Sequence, residues 1–480
     1  MPTIKHAIFY SAVNKYLMSI ISLATTVMIA RLMTPSEIGV YAIASAVVML
    51  LAEIRLLGAG VYIIRSQDLN ISNVRSALGL TILISWSLGL ILFIASSYMA
   101  DFYEIKEIEL ILWILCFGFI LAPFISIPAA ILSRNYNFDK LFYIRLLSSL
   151  TILISTFIFI KLELSFYGLA LANTVSMFVQ VIATYILVPK ETVWVPRFNN
   201  LRPIAAVGIY SSLANILVKT QKSLPDIIIG KASTTTNVAI FSRGLGFIDF
   251  LSELIVSGVN PVALPYLSSV SRGGGNVAKS YIKATKLLGA FTWPVLAVAS
   301  VASLPAIRLF FGDQWDSAAP IASVLAFWSI IRSIHGFSQP LLLTLKLETS
   351  LILKEILAFI TYFALIAYSS QFGLLAIAWA MLISSLIDFV ITSIIIKVKI
   401  GLGIFGMLKE FFPNFIIIVA CWSVAYILKM TFSINEMHYV SGLLIYASVL
   451  PVFWIFCLRL LNHPLLEEIL KIIKNKKKFS

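Results

Sequence analysis

Residues 30–41 read Ala30-Arg31-Leu32-Met33-Thr34-Pro35-Ser36-Glu37-Ile38-Gly39-Val40-Tyr41. On either side the chain is apolar for longer than a bilayer core is thick, over Ala7–Ala30 before the turn and Ile38–Ile64 after it. About 20 such residues suffice for a helix to cross the hydrocarbon. The turn itself has stop-and-start chemistry. Thr34 suits an N-cap, Pro35 suits the first helical position, and Glu37 stands three residues on from Thr34, where a capping box closes. The stretch therefore predicts two membrane helices joined by a tight polar turn. It also recurs. When Tyr10-Ser11 is laid on Tyr210-Ser211, Leu17 falls on Leu217, Ile29 on Ile229, Arg31 on Lys231 and Thr34 on Thr234 without a gap. Tyr41 then falls on Phe241, Leu51 on Leu251, Glu53 on Glu253 and Gly58 on Gly258. A helix pair heading each half of a membrane protein is a common transporter plan, with the substrate site between the halves.

The rest of the chain agrees with that reading. Of its 480 residues 60% are hydrophobic and 12% charged, which no ordinary soluble domain shows. Fourteen spans are expected: six in residues 1–200, six in 201–400, and an accessory pair, Phe412–Lys429 and Tyr439–Leu458, in 401–462. Residues 463–480 are left as a basic cytoplasmic tail. With the N-terminus inside, 24 of the 36 Lys and Arg residues fall on the inner side, six fall in outer loops and six remain within spans. That asymmetry predicts both termini in the cytoplasm. The net charge of +14 does not indicate nucleic acid, because the bases are scattered over short loops and the tail. The tail reads as an amphipathic anchor on acidic membrane lipid.

The six bases within spans are Lys15, Arg55, Lys219, Lys222, Arg243 and Arg332. A cation in hydrocarbon costs at least about 2.5–3.5 kcal/mol, so each should face a cavity or a partner. Lys219 and Lys222 are three apart and share a helix face; Lys222 and Asp226 are four apart and can pair. The acids within spans are Glu53, Asp226, Asp249, Glu253 and Asp388. Asp249 and Glu253, four apart, place like charges on one face, a natural place for H+ or Na+ coupling. The same acids equally suit charge balance against neighbouring bases. More bases than acids point to a cationic cavity and an anionic ligand, and Arg and Lys suit phosphate through charge-assisted hydrogen bonds.

Enzyme chemistry finds little purchase. Gly273-Gly274-Gly275-Asn276-Val277-Ala278-Lys279-Ser280 approaches a phosphate-binding loop, but Ala278 stands where the second Gly is required and no strand precedes it. His6, His335, His438 and His463 have no metal-ligand spacing, and Cys116, Cys421 and Cys457 lie apart in apolar helix, so no cofactor is expected.

The stretch 30–41 resembles the Ala-Arg-Leu-Leu-Thr-Pro entry of bacterial polysaccharide flippases of the Wzx type, members of the multidrug/oligosaccharidyl-lipid/polysaccharide exporter superfamily. Pro225-Asp226-Ile227-Ile228-Ile229-Gly230-Lys231 with Val238-Ala239-Ile240-Phe241, and Pro261 to Ser268, resemble later elements of that family. Ala239 and Phe241 stand where the family usually has Gly and Tyr. The resemblance implies an all-α, V-shaped pair of six-helix bundles in the bacterial cytoplasmic (inner) membrane. Its helices one, two, seven and eight line a cationic cleft, where Lys15, Arg55, Lys219, Lys222 and Arg243 would stand. It implies an undecaprenyl-pyrophosphate-linked oligosaccharide as substrate, with polysaccharide polymerase and chain-length machinery as partners. Alternatives are a lipid II flippase, an ion-coupled drug exporter of the same superfamily, and, in another class, a membrane polysaccharide polymerase.

Overall fold

A computed structural model describes residues 4–55, 59–66, 69–188, 194–206, 209–256 and 259–476. Gly58, Gly258 and the Lys477-Lys478 end of the tail lie outside the described residues, as do the side chains of Tyr10 and Tyr210. Among the described residues there are helices and no strands. In chain order they are α1 (Ile4–Leu32), α2 (Pro35–Ile54), α3 (Ala59–Arg65), α4 (Ile71–Tyr103), α5 (Glu107–Leu121), α6 (Pro123–Arg134), α7 (Phe138–Lys161), α8 (Ser165–Leu187), α9 (Leu201–Ala206), α10 (Ile209–Ala232), α11 (Thr235–Val256), α12 (Asn260–Arg272), α13 (Val277–Phe310), α14 (Ala318–Ile334), α15 (Ser338–Thr344), α16 (Glu348–Ser369), α17 (Leu374–Ile400), α18 (Ile404–Thr431), α19 (Tyr439–Leu460) and α20 (Pro464–Lys476).

The repeat seen in the sequence is a repeat of elements. α1 stops at Leu32 and α10 at Ala232; α2 starts at Pro35 and α11 at Thr235. Both starts are capped alike. Thr34 accepts from the Glu37 amide at 3.4 Å within a full capping box, and Thr234 accepts from the Asn237 amide at 3.3 Å. An N-cap hydroxyl satisfies one of the amides that a helix start leaves without a partner. Beyond the first pair, each half continues with a short helix, a long one, a broken pair and two more long ones.

Among the described residues, eleven helices are long and apolar enough to cross a membrane, or twelve when α5 and α6, bent by 42° at Ala122, form one span. α10 and α11 are 24 and 22 residues long but are not among these. The reason is the charge they carry: Lys219, Lys222, Asp226 and Lys231 on one, and Arg243, Asp249 and Glu253 on the other. The Gly273–Gly275 segment forms the turn between α12 and α13, with Gly274 at φ 68° and Asn276 capping α13 through the Lys279 amide.

The chain divides into two compact units, Met1–Ala239 and Ile240–Ser480. In the first, α1 packs on α7, α4 on α5, α7 on α8, and α2 on α10. Ile63, Ala77, Leu78 and Ile127 form a buried core cluster joining α3, α4 and α6. The segment before α9 is pinned to the start of α4: the Arg197 amide donates to the Arg75 carbonyl at 3.0 Å, and Arg75 Nε donates to the Val195 carbonyl at 3.1 Å. In the second unit α13 packs on α14 and α18, and α17 on α14 and α16. Ala302, Ala425, Ile434 and Tyr446 anchor the accessory pair α18–α19 to α13. Cys116, Cys421 and Cys457 are buried free thiols.

Candidate functional site

In the first unit the bases expected of a binding site ride on α1, α2 and α10, and two glycines set how closely α2 is approached. A Cβ on Gly39 would stand 1.8 Å from the Thr235 carbonyl oxygen, and one on Gly230 2.8 Å from Ile43 Cγ1. Only glycine permits these approaches. Polar contacts then fix the register at the same end. The Ser36 and Thr235 hydroxyls are 3.0 Å apart, Tyr103 donates to the Ile227 carbonyl at 3.4 Å, and Lys231 donates to the Phe102 carbonyl at 2.7 Å. Ser165 donates to Glu37 at 2.6 Å, so the capping carboxylate of the turn also ties in α8.

On this frame Arg55 sits at the C-terminal end of α2, half-buried, its Cζ 5.8 Å from the Phe119 ring centre. Its Nε is buried and, among the described residues, donates to nothing. Lys219, on α10, lies 3.7 Å from Glu53 on α2. Lys219 is 55% exposed, so the pair is worth little beyond fixing charge, at most about 1 kcal/mol. Lys15 is exposed on α1, and Lys222 and Asp226 are half-buried on α10. Neither Lys222 nor Asp226 stands without a partner.

The remaining predicted residues are in the second unit. Arg243, on α11, stacks over Trp315 at 5.3 Å and Phe311 at 5.7 Å, two rings that box a guanidinium well. Asp249 is half-buried and Glu253 exposed, and both are engaged by partners. Arg332 lies over Trp328 at 5.1 Å. Asp388 leads to residues that sequence reasoning missed. Its Oδ1 is 3.5 Å from Nζ of Lys354, which is 3.0 Å from Oε1 of Glu355. Lys354 and Glu355 are only 8% and 4% exposed. By its position near the start of α16 Lys354 falls among the inner-side bases of the loop-charge count; its place in the second turn of that helix, with an acid on α17, is the available signal. Behind it, buried His335 joins Tyr281 at 2.7 Å and Ser393 at 2.9 Å.

The second unit also holds an apolar cavity of about 590 Å³ walled by α11, α13, α18 and α19. Leu251, Phe291, Val298, Ala447, Leu450 and Trp454 are among its lining side chains. Its size is that of a small-molecule or lipid-chain site.

The chain matches the family described as polysaccharide biosynthesis protein over residues 28–320. It is 21% identical over 377 residues to the teichuronic acid biosynthesis protein TuaB of Bacillus subtilis, covering 77% of each chain. It is 22% identical over 309 residues to the succinoglycan biosynthesis transport protein ExoT of Rhizobium meliloti, covering 63% of this chain and 61% of that one. In fold it is similar to the lipid II flippase MurJ in an inward closed conformation, with a TM-score of 0.72 at 15% identity over 92% of this chain and 98% of that one. An inward-facing multidrug resistance transporter of the MATE family gives 0.66 at 14% identity over 86% and 98%. The long apolar helices make the chain a multi-pass membrane protein with the fold shared by these two transporters, and the match over residues 28–320 places it in the polysaccharide biosynthesis protein family.

Proposed function

We propose that this protein carries an undecaprenyl-pyrophosphate-linked oligosaccharide from the inner to the outer leaflet of the cytoplasmic membrane by alternating access. The observation that carries the reading is Arg55, a base at the end of a spanning helix whose Nε finds no acceptor among the described residues. A buried donor without an acceptor costs about 1–3 kcal/mol, and an anion would remove that cost. A pyrophosphate offers such an acceptor, and Lys15, Lys219 and Lys222 add positive charge on α1 and α10. The apolar cavity of the second unit suits a stretch of the polyprenyl tail, the remainder staying in the bilayer. The glycan, too polar for hydrocarbon, needs a hydrated path across the membrane. α10 and α11 count as spans in this reading, which gives fourteen crossings with both termini inside, in line with the loop charges. Glu53, Asp226, Asp249 and Glu253 serve charge balance or coupling to H+ or Na+.

The test is to delete the gene and ask on which face labelled lipid-linked oligosaccharide resides. The expected result is repeat units trapped at the inner face and surface polymer lost, both restored by the wild-type gene and not by Arg55→Ala. Single repeat units reaching the outer face without polymerising would overturn the reading in favour of a polymerase. Restoration of lipid II transport, with the oligosaccharide unaffected, would move the substrate to lipid II.

A further inference from the structure

Lys354 begins its side chain two turns into α16, close to the end that the loop charges place inside. A lysine so near a span end ordinarily reaches out to the interface. This one turns inward, is 8% exposed, and places its ammonium between Glu355 on its own helix at 3.0 Å and Asp388 on α17 at 3.5 Å. Neighbouring residues on a helix point in different directions, so the contact with Glu355 is the lysine folding back rather than a facing pair. Thr392, fully buried, donates to the same Asp388 oxygen at 3.4 Å. The other charged or titratable groups around are Arg332 on α14, which acts on Lys354 electrostatically, and the buried His335 and Tyr281. Two carboxylates converging on one positive charge, one of them steadied by a hydroxyl, make an oxygen donor set that suits a hard monovalent cation.

We infer that the second unit contains a monovalent-cation site, built by the carboxylates of Glu355 and Asp388 with Thr392 holding Asp388 in place, that the ammonium of Lys354 permanently fills. The site holds a tethered cation where an exchangeable one would otherwise be required. With the charge supplied by the chain itself, this unit needs neither Na+ nor K+ to remain folded. Removing the ammonium leaves the buried carboxylate of Glu355 and the half-buried one of Asp388 short of a counter-charge and opens the site to a cation from solution. The inference concerns the site alone and stands or falls independently of what the protein transports.

The experiment is thermal melting of the purified full-length protein in NaCl, KCl, methylammonium chloride or choline chloride at one ionic strength. The wild type should melt at the same temperature in all four. Lys354→Ala should melt several degrees lower in choline and recover saturably with sodium or methylammonium. Lys354→Ala/Asp388→Asn, which restores the charge sum, should fold and ignore the salt. A Lys354→Ala chain that folds only together with Asp388→Asn supports the same conclusion. The inference is overturned by a wild type that sodium stabilises saturably through Asp388. It is overturned equally by a Lys354→Ala protein that matches the wild type in choline, or by single and double variants that fail to fold alike.

Discussion

Gly39→Ala is the sharpest test of the frame that carries the bases. The added Cβ would lie 1.8 Å from the Thr235 carbonyl oxygen, 2.4 Å from its carbonyl carbon and 3.0 Å from its Cα. All three are backbone atoms, so no side chain can rotate aside. Ordinary contact begins at 3.4 Å, so the two segments must part by about 1.6 Å, the difference of 3.4 and 1.8. That movement would break the 3.0 Å contact between Ser36 and Thr235 and loosen the seat of Gly230 against Ile43. Overpacking of this kind costs about 1–3 kcal/mol, which is read as a fall of a few degrees in melting temperature. Gly246, on α11, is the control: nothing lies within 4 Å of its would-be Cβ. Gly246→Ala should be neutral or raise stability by about 0.4–1 kcal/mol, as the unfolded chain loses freedom. The assay is a melting curve of each purified variant alongside surface-polymer export in a complemented deletion strain. Equal melting of the two variants, with export unchanged in Gly39→Ala, would refute the close approach.

Three further outcomes are expected. Arg55→Leu should abolish export while raising the melting temperature, because it removes a buried donor costing about 1–3 kcal/mol; export at the wild-type rate, or a destabilised protein, would show that Arg55 is structural. Ala447→Phe should fill part of the apolar cavity and slow export with little change in melting, since Ala447 lines open space rather than packed core; unimpaired export would remove the lipid tail from that cavity. Acidification should release α20. His463, 1% exposed, donates from Nε2 to Asn414 at 2.8 Å and accepts at Nδ1 from the Leu465 amide at 3.2 Å. Burial, and then the charge of Lys286, pull its pKa from 6.5 down to about 4. The folded state therefore binds fewer protons than the unfolded one between these values, and stability is full above pH 6.5. It falls as pH drops towards 4, by up to about 3 kcal/mol. Proteolysis beyond residue 463 should quicken from pH 7 to pH 5 in the wild type and not in His463→Gln; a flat profile in the wild type would refute the latch.

What the sequence disclosed and what it hid divide along a physical line. Helix starts and stops are local. Thr34, Pro35 and Glu37 determine a cap by themselves, and the Thr234 cap could be read from its register with Thr34. Charges out of place in apolar sequence are also local, which is why the bases of α1, α2 and α10 were found. Their partners are not local. Lys354 stood within reach of a loop by position, and its ion partner Asp388 is on another helix, so the loop-charge count absorbed it. The aromatic box around Arg243 was invisible for the same reason, since Trp315 and Phe311 come from beyond α13. Gly39 gave no signal of contact, because the atom it admits lies on the far side of the repeat.

Those contacts separate two kinds of buried charge that look identical in sequence. Lys354 has carboxylates at 3.0 and 3.5 Å, so this desolvated cation is already answered by the protein. A charge answered in this way is costly to disturb and has little left to offer a ligand. Arg55 is different. Phe119 covers one face of its guanidinium, yet the Nε donor is left over. Such a group lowers stability by its presence, and selection keeps a destabilising group where something else depends on it. An anion that arrives, binds and leaves is the simplest dependence, and it requires that the protein not supply a permanent acceptor. The ammonium of Lys354 obeys the converse rule. It is held where no exchange is wanted, so the charge that must move and the charge that must stay are assigned to different units of one chain.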